Sequence, residues 1–246
     1  MRRVFIVGGA AALLIGAAGM FGAWTVFRAD APAPASLADA LRQVPQPVAT
    51  SPAVEAPSLA LVAGSGNAPV DLTGRYQTVG GPSFVGYRVK ERLAGAGSNV
   101  AVGRSGDVSG SFAFDGRLIS DLDVTVDLQA LQSDDARRDL QLRTQAIESA
   151  RYPSARFVVT APFSIGAVPS EGEETHLVLV GDLTLRGVTR PVTAHVYGAL
   201  KGEHAVVVGT AEILFSDFGI QPPRSIVVVS VEDHATVEFQ LIFKKA

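Results

Sequence analysis

Few residues of this chain are of a type and spacing that could do chemistry. His176, His195, His204 and His234 are the only imidazoles, and none has a partner at the i, i+4 or zinc-type spacing of a metal site. Each reads as a solvent-facing strand residue. Cys is absent, which removes disulfides, thiolate metal sites, Cys nucleophiles and lipidation on an N-terminal Cys. Gly95-Ala96-Gly97-Ser98-Asn99-Val100 begins like a dinucleotide loop but lacks the third glycine. Asp217-Phe218-Gly219 spells the kinase magnesium tripeptide without the Gly-rich and catalytic loops that must accompany it, and no serine sits in a nucleophile elbow. No metal, cofactor or enzymatic activity is expected.

The densest charge lies in the stretch ARRDLQLRTQAIESARYPSARF, residues 136–157. Arg137, Arg138 and Asp139 admit an anion clamp with a general acid or base beside it. They equally admit hydrogen bonds by which Arg138 and Asp139 tie a short helix to the strand behind it. No convergent ionisable groups accompany them, and the structural reading is preferred. Ser133 with Asp134 and Asp135 forms a helix N-terminal signal, and Arg143 suits the other end of the dipole, which predicts a helix over 134–145. Leu131 and Leu140 or Leu142 would anchor it. Pro153 stops it and pushes Tyr152 into extended geometry.

These residues must be positioned by a set of strands. Leu122-Asp123-Val124-Thr125-Val126-Asp127-Leu128 alternates apolar and polar side chains, as do Ala235, Val237, Phe239, Leu241 and Phe243 with their intervening residues. Similar runs at 83–93, 107–114, 118–128, 155–163, 176–185, 188–200 and 205–215 bring the total to about eight, separated by Gly, Pro, Asp and Ser turns. Short connections favour an antiparallel meander, closed into a barrel or folded as two packed sheets. A barrel of eight strands is wide enough either to be filled by side chains or to hold one slender ligand. The inward set is read as Phe84, Phe112, Val124, Val126, Phe157, Leu179, Leu183, Phe215 and Phe239: core filling if the barrel is solid, the lining of an apolar tube if it is not.

The N-terminus carries a second signal. No charged residue occurs from Val4 to Phe27, a span long enough as one helix to cross the hydrocarbon core. Arg2 and Arg3 precede it, so the positive-inside bias keeps the N-terminus cytoplasmic and exports the rest of the chain. Residues 1–28 are therefore an N-terminal transmembrane anchor, the alternative being a signal segment that is cut to release a secreted or periplasmic protein. Residues 29–71 are rich in Ala and Pro and read as a disordered linker, with a reach of roughly 35–40 Å from chain statistics. Within it Ser36 and Asp39 have capping-box character, and Leu37, Leu41 and Val44 share a helical face, a helix that is marginal unless it docks. Residues 72–246 form the β domain.

The chain has 246 residues with 21 Lys and Arg against 24 Asp and Glu, a net charge of −3. The basic residues are dispersed, so nucleic acid is not an expected partner.

Several motifs occur in one order: Val108-Ser109-Gly110-Ser111-Phe112; Leu131 with Arg138-Asp139; Arg151-Tyr152-Pro153 followed by Phe157; Gly181-Asp182-Leu183-Thr184-Leu185 with Gly187-Val188-Thr189-Arg190-Pro191-Val192; and Phe215-Ser216-Asp217-Phe218-Gly219-Ile220. Over roughly residues 73–246 this set resembles the YceI family, the lipocalin-like polyisoprenoid-binding domains of bacteria. One departure lies in Ser83-Phe84-Val85-Gly86-Tyr87-Arg88-Val89-Lys90-Glu91, where many relatives end the pattern on His. The resemblance implies an all-β fold: an eight-stranded antiparallel lipocalin-like barrel with a short capping helix, whose tube holds a long isoprenoid or similar amphiphile. Arg138, Asp139, Tyr152 and Pro153 are then structural. The expectation is a membrane-anchored, exported lipid-binding protein, with an envelope or stress-response interaction protein with a filled barrel as the alternative. Expected partners are the membrane through residues 4–27, an apolar lipid and, as an open case, a second copy in a homodimer.

Overall fold

The computed structural model describes residues 31–45, 71–95, 97–221 and 228–246. The expected span Val4–Phe27 lies outside these, as does the linker from 46 to 70. Among the described residues no helix is long and apolar enough to cross a membrane.

Among the described residues twelve strands occur in chain order: β1 (Gly74–Thr78), β2 (Phe84–Leu93), β3 (Gly97–Ser105), β4 (Val108–Phe114), β5 (Leu118–Asp127), β6 (Gln132–Ser133), β7 (Ser154–Val159), β8 (Phe163–Ser164), β9 (Thr175–Leu185), β10 (Val188–Lys201), β11 (His204–Leu214) and β12 (Val228–Lys245). Their antiparallel pairing runs β1-β4-β5-β7-β9-β10-β11-β12, and β1 also pairs with β12, which closes an eight-stranded ring. Closure gives every ring strand two neighbours over at least part of its length, although β7 meets β9 only at Thr184, Leu183 and Asp182. Only Phe243, Lys244 and Lys245 of β12 reach β1, because β1 is short; below them β2 takes over as the partner of β12, followed by β3 and β6. The barrel is thus closed by β1 near one end and by the β2–β3 hairpin near the other. Strands β1 and β3 escape sequence reading because β1 is only five residues long and β3, GSNVAVGRS, has too little polar alternation.

A bulge decides which face of β5 is inward. Ser111 faces Asp123 whereas Ala113 faces Ser120, so β5 carries an extra residue there, and Asp121 adopts a left-handed φ of 54°. Aspartate tolerates that conformation better than a branched side chain. The inward parity shifts from Ile119 to Leu122, Val124 and Val126 across the bulge.

The helix α2 (Ala136–Gln141) continues as a π-helical turn, Leu142–Ala146. Asp135 caps it, its side chain accepting from Arg137 N at 2.8 Å. Leu131 is buried and Leu142 packs on the core, whereas Leu140 is exposed. The tie to the barrel is ionic: Arg138 Nη2 donates to Glu91 Oε1 on β2 at 2.8 Å and Arg138 also pairs with Asp134, while Asp139 Oδ1 accepts from Ser133 N and Oγ at 3.0 and 2.7 Å. Burial opposes the charge on Arg138, but Glu91 and Asp134 outweigh it and hold the guanidinium firmly protonated. Glu91 occupies the position where the resembling strand pattern carries His. Pro153 follows this segment and its carbonyl accepts from Leu128 N at 2.7 Å, while the Tyr152 ring packs beside Gly187, where an added Cβ would come within 2.9 Å of it.

The expectation of a disordered linker over 29–71 is corrected where residues 31–45 are described. Leu37–Gln43 form α1, capped by Ser36, whose Oγ accepts from Asp39 N at 3.2 Å and donates to Asp39 Oδ2 at 2.9 Å. Leu37, Ala40 and Val44 are buried against Ala199, Val206, Val208 and Ile242 on the outer face of β10, β11 and β12. A helix this short forms because that docking supplies what propensity cannot.

Candidate ligand cavity

The interior is not filled. A cavity of about 290 Å³ runs inside the ring, walled along β5 by Ile119, Leu122, Val124, Val126 and then by Leu128. The nine steps from Ile119 to Leu128 at roughly 3.3 Å each give a wall about 30 Å long, or on the order of 20–25 Å along the axis once strand tilt is allowed for. Leu131 and Ile147, beneath α2, close one end. At the other end Leu72, Phe163, Ile165, Val168, Pro169 and Leu200 form a mouth.

Seven of the nine expected lining residues are on this wall: Phe112, Val124, Val126, Phe157, Leu179, Leu183 and Phe239. The other two are corrections. Phe84 points the opposite way from its neighbours Val85 and Tyr87, which line the cavity; its ring lies under the Arg104 guanidinium at 4.3 Å. Phe215 comes after the end of β11 and opens the 3-10 turn Ser216–Phe218, so the alternation that would aim it inward has already stopped; it packs on the core at the closed end. Tyr76, stacked on Phe112 at 4.8 Å, and Phe243, edge-on to Phe112 at 5.0 Å, contribute aromatic wall that the expected set lacks.

The wall chemistry is almost uniform. Among the described residues Arg156 is the one charged residue on it, and its guanidinium is engaged by Asp123, Nε to Oδ1 at 2.9 Å and Nη2 to Oδ2 at 2.6 Å, at the surface. Tyr87 lines the cavity with its ring, burial pushes its phenol up, and its hydroxyl stays protonated. With so few polar groups the cavity has nothing to hold ordered water, which needs two to four partners. What it can do is exclude water from a chain of apolar groups.

The residues that could have carried other chemistry have structural places. Phe218 of Asp217-Phe218-Gly219 is a core side chain, and Gly219 ends the turn with φ 64°. Gly95 and Gly97 lie at the β2–β3 turn. His234 meets Glu212 at 3.2 Å on the exposed face, and among the described residues no group of three or more metal-type ligands assembles.

Ring closure, short connections, one capping helix and an apolar interior define a lipocalin-like barrel. The sequence model of the YceI-like domain matches residues 76–243, and the chain belongs to that family. A UPF0312 protein of Shewanella denitrificans is 36% identical over 134 residues, which are 51% of this chain and 66% of that protein. A UPF0312 protein of Vibrio parahaemolyticus is 33% identical over 166 residues, 64% of this chain and 82% of that one. The structure of a polyisoprenoid binding domain from Saccharophagus degradans, implicated in plant cell wall breakdown, matches with a TM-score of 0.56 at 17% identity, over 70% of this chain and 98% of that one. At that identity the likeness is one of fold. Residues 31–45 lie outside the stretch matched by the family.

Proposed function

We propose that this protein is a lipid-binding carrier that holds the apolar chain of a polyisoprenoid or similar amphiphile inside the barrel, without catalysis. One observation carries the reading: a cavity of about 290 Å³ whose wall, from Ile119 down to Leu131, is apolar and empty of free charge. Such a wall rewards a slender hydrocarbon by about 0.8 kcal/mol per CH₂ removed from water. The Saccharophagus degradans domain, described as polyisoprenoid binding, supports the choice of ligand class. The apolar span Val4–Phe27 supports export and a single-pass anchor, with the barrel outside the cytoplasm and the bilayer as the source of ligand.

The test is lipid extraction and mass spectrometry of the purified protein, and then uptake of an added long-chain prenol. Wild type is expected to carry or take up one chain per barrel. Leu179→Trp and Val124→Trp fill the tube from two different strands of its wall, β9 and β5. Uptake should fall by on the order of tenfold, a change of about 1.4 kcal/mol, with the circular dichroism of the fold retained. Undiminished uptake by both variants, or no lipid bound under any condition, sinks the reading.

A further inference from the structure

The ring is not equally closed on all sides. Strand β7 pairs with β9 only through Arg156, Phe157 and Val158, opposite Thr184, Leu183 and Asp182. Above that point the chain stays with β5 instead, through β8, which pairs with Leu118 and Ile119. It then arches over the mouth to the β10–β11 hairpin, where Gly172 N donates to Leu200 O at 2.9 Å, before β9 begins at Thr175. Among the described residues, Thr175–Val180 therefore has a strand partner on the β10 side only. Leu177 and Leu179 of this edge line the cavity.

The opposite face of the same residues is unusual. Val178 is 55% and Val180 62% exposed, with Tyr197 at 40% on β10 and Val168 at 42% on the arch. The outward residues of this part of β9 and β10 are His176, Val178, Val180, Thr193, His195 and Tyr197, with no Asp, Glu, Lys or Arg among them. His176 stacks on Tyr197 at 4.6 Å and on His195 at 6.0 Å between ring centres. The result is a row of rings with an apolar body and a polar tip beside bare valines. That is the composition of a side chain belt at a membrane–water boundary. Glu173 and Glu174 stand at its upper border, which disfavours anionic headgroups. Along this edge the outward valines Val178 and Val180 alternate with the cavity-lining Leu177 and Leu179, so only the width of one strand backbone separates the outer apolar face from the cavity wall.

We propose that this charge-free face of β9 and β10 seats on a neutral lipid bilayer, and that the unpaired edge Thr175–Val180 is the passage by which a lipid chain slides sideways into the barrel. The proposal rests on the reading of the cavity as a lipid site. A chain entering here never crosses water, whereas entry through a distant mouth would expose each methylene in turn.

The chain has no Cys, so a single environment-sensitive fluorophore can be placed by Val180→Cys, Val168→Cys, Leu140→Cys or Val229→Cys in the full-length protein. Leu140 and Val229 are equally exposed controls on other faces, at 60% and 63%. In phosphatidylcholine vesicles containing brominated acyl chains, quenching is expected at 180 and 168 and not at 140 or 229. A second measurement tracks transfer of a fluorescent prenol between vesicles: Val178→Glu with Val180→Glu should slow transfer by about tenfold with the bound amount unchanged. Equal quenching at all four positions, or none at 180, overturns the proposal. So does disulfide linkage of the Val180→Cys protein into dimers without quenching, which would give the edge to a second copy. An empty cavity by mass spectrometry with the quenching pattern intact overturns the carrier reading and leaves the membrane contact standing. A filled cavity with no quenching does the reverse.

Discussion

Glu238 lies on the outward face of β12, yet its side chain is 1% exposed. Each of its oxygens accepts from one guanidinium, Arg88 Nε to Oε2 and Arg104 Nε to Oε1, both at 2.8 Å. The same two arginines use their Nη2 atoms on the carbonyls of Pro32 and Ala33, the latter at 2.6 Å. Glu238 thus holds a two-pronged receptor for the backbone that precedes α1. Removing one partner of a buried ionic group leaves the others uncompensated. Glu238→Ala should lower stability in urea by on the order of 3 kcal/mol, and it should release residues 31–36 to rapid amide exchange. Unchanged protection there would show that the arginines hold the segment without the carboxylate. None of this was legible in the sequence, where Glu238 is simply the polar member of an alternating pair.

At the scale of elements, α1 converts an exposed strand face into a second core. Ala40 on its inner face is fully buried, Gln240 Nε2 donates to Gln43 Oε1 at 3.0 Å and to Pro82 O at 2.7 Å, and Lys201 Nζ donates to Leu41 O at 2.6 Å. Ala40→Arg forces a charge into that layer and should undock the helix, exposing Val206, Val208 and Ile242. The expected result is increased binding of a hydrophobic dye and proteolysis after Arg42 at native temperature, with the barrel's β circular dichroism retained. Loss of the whole fold instead would mean that α1 is part of the barrel's nucleus. The capping signal at Ser36 and the spacing of Leu37 and Val44 announced a helix; its receptor on β10–β12 could not be read, because those positions alternate as a wet face. For α2 the outcome was the opposite. Arg138 and Asp139 were legible as ties, but the partner Glu91 sits 47 positions away.

Across the whole molecule, four surface carboxylates held by local hydrogen bonds make stability fall in acid. The hydroxyl and amide of Ser216 hold Asp233 below its ordinary value of 3.8, hydrogen bonds from Thr73 do so for Asp71, the Leu118 and Arg117 amides for Asp115, and Ser36 with Arg42 for Asp39. Each folded value is depressed, so the folded state binds fewer protons and the stabilisation is complete above the unfolded value. It is lost as pH falls from there through the folded values. The urea midpoint should therefore hold from neutral pH to about 4 and drop below it, and Asp233→Asn should make that drop shallower. A midpoint already falling at pH 6 would point to other groups.

The strand faces were already written in the order of the amino acids, because a period of two in apolar residues is a local property that each strand carries alone. So were the N-terminal signal of α2 at Asp135 and the absence of thiol chemistry, whereas α2 with its π-helical turn ends at Ala146, before a left-handed Glu148, and not at the Pro153 that marks a stop in the sequence. That the ring stays hollow emerges only on assembly, since a void is the difference between enclosed volume and side-chain volume, and no single strand encodes that difference. Assembly likewise takes Phe84 and Phe215 out of the lining, through a parity set by β2's neighbours and a strand that ends one residue early. The open edge of β9 belongs to the same class: it exists because β7 turns away toward β5, a choice made by pairing energies between distant segments.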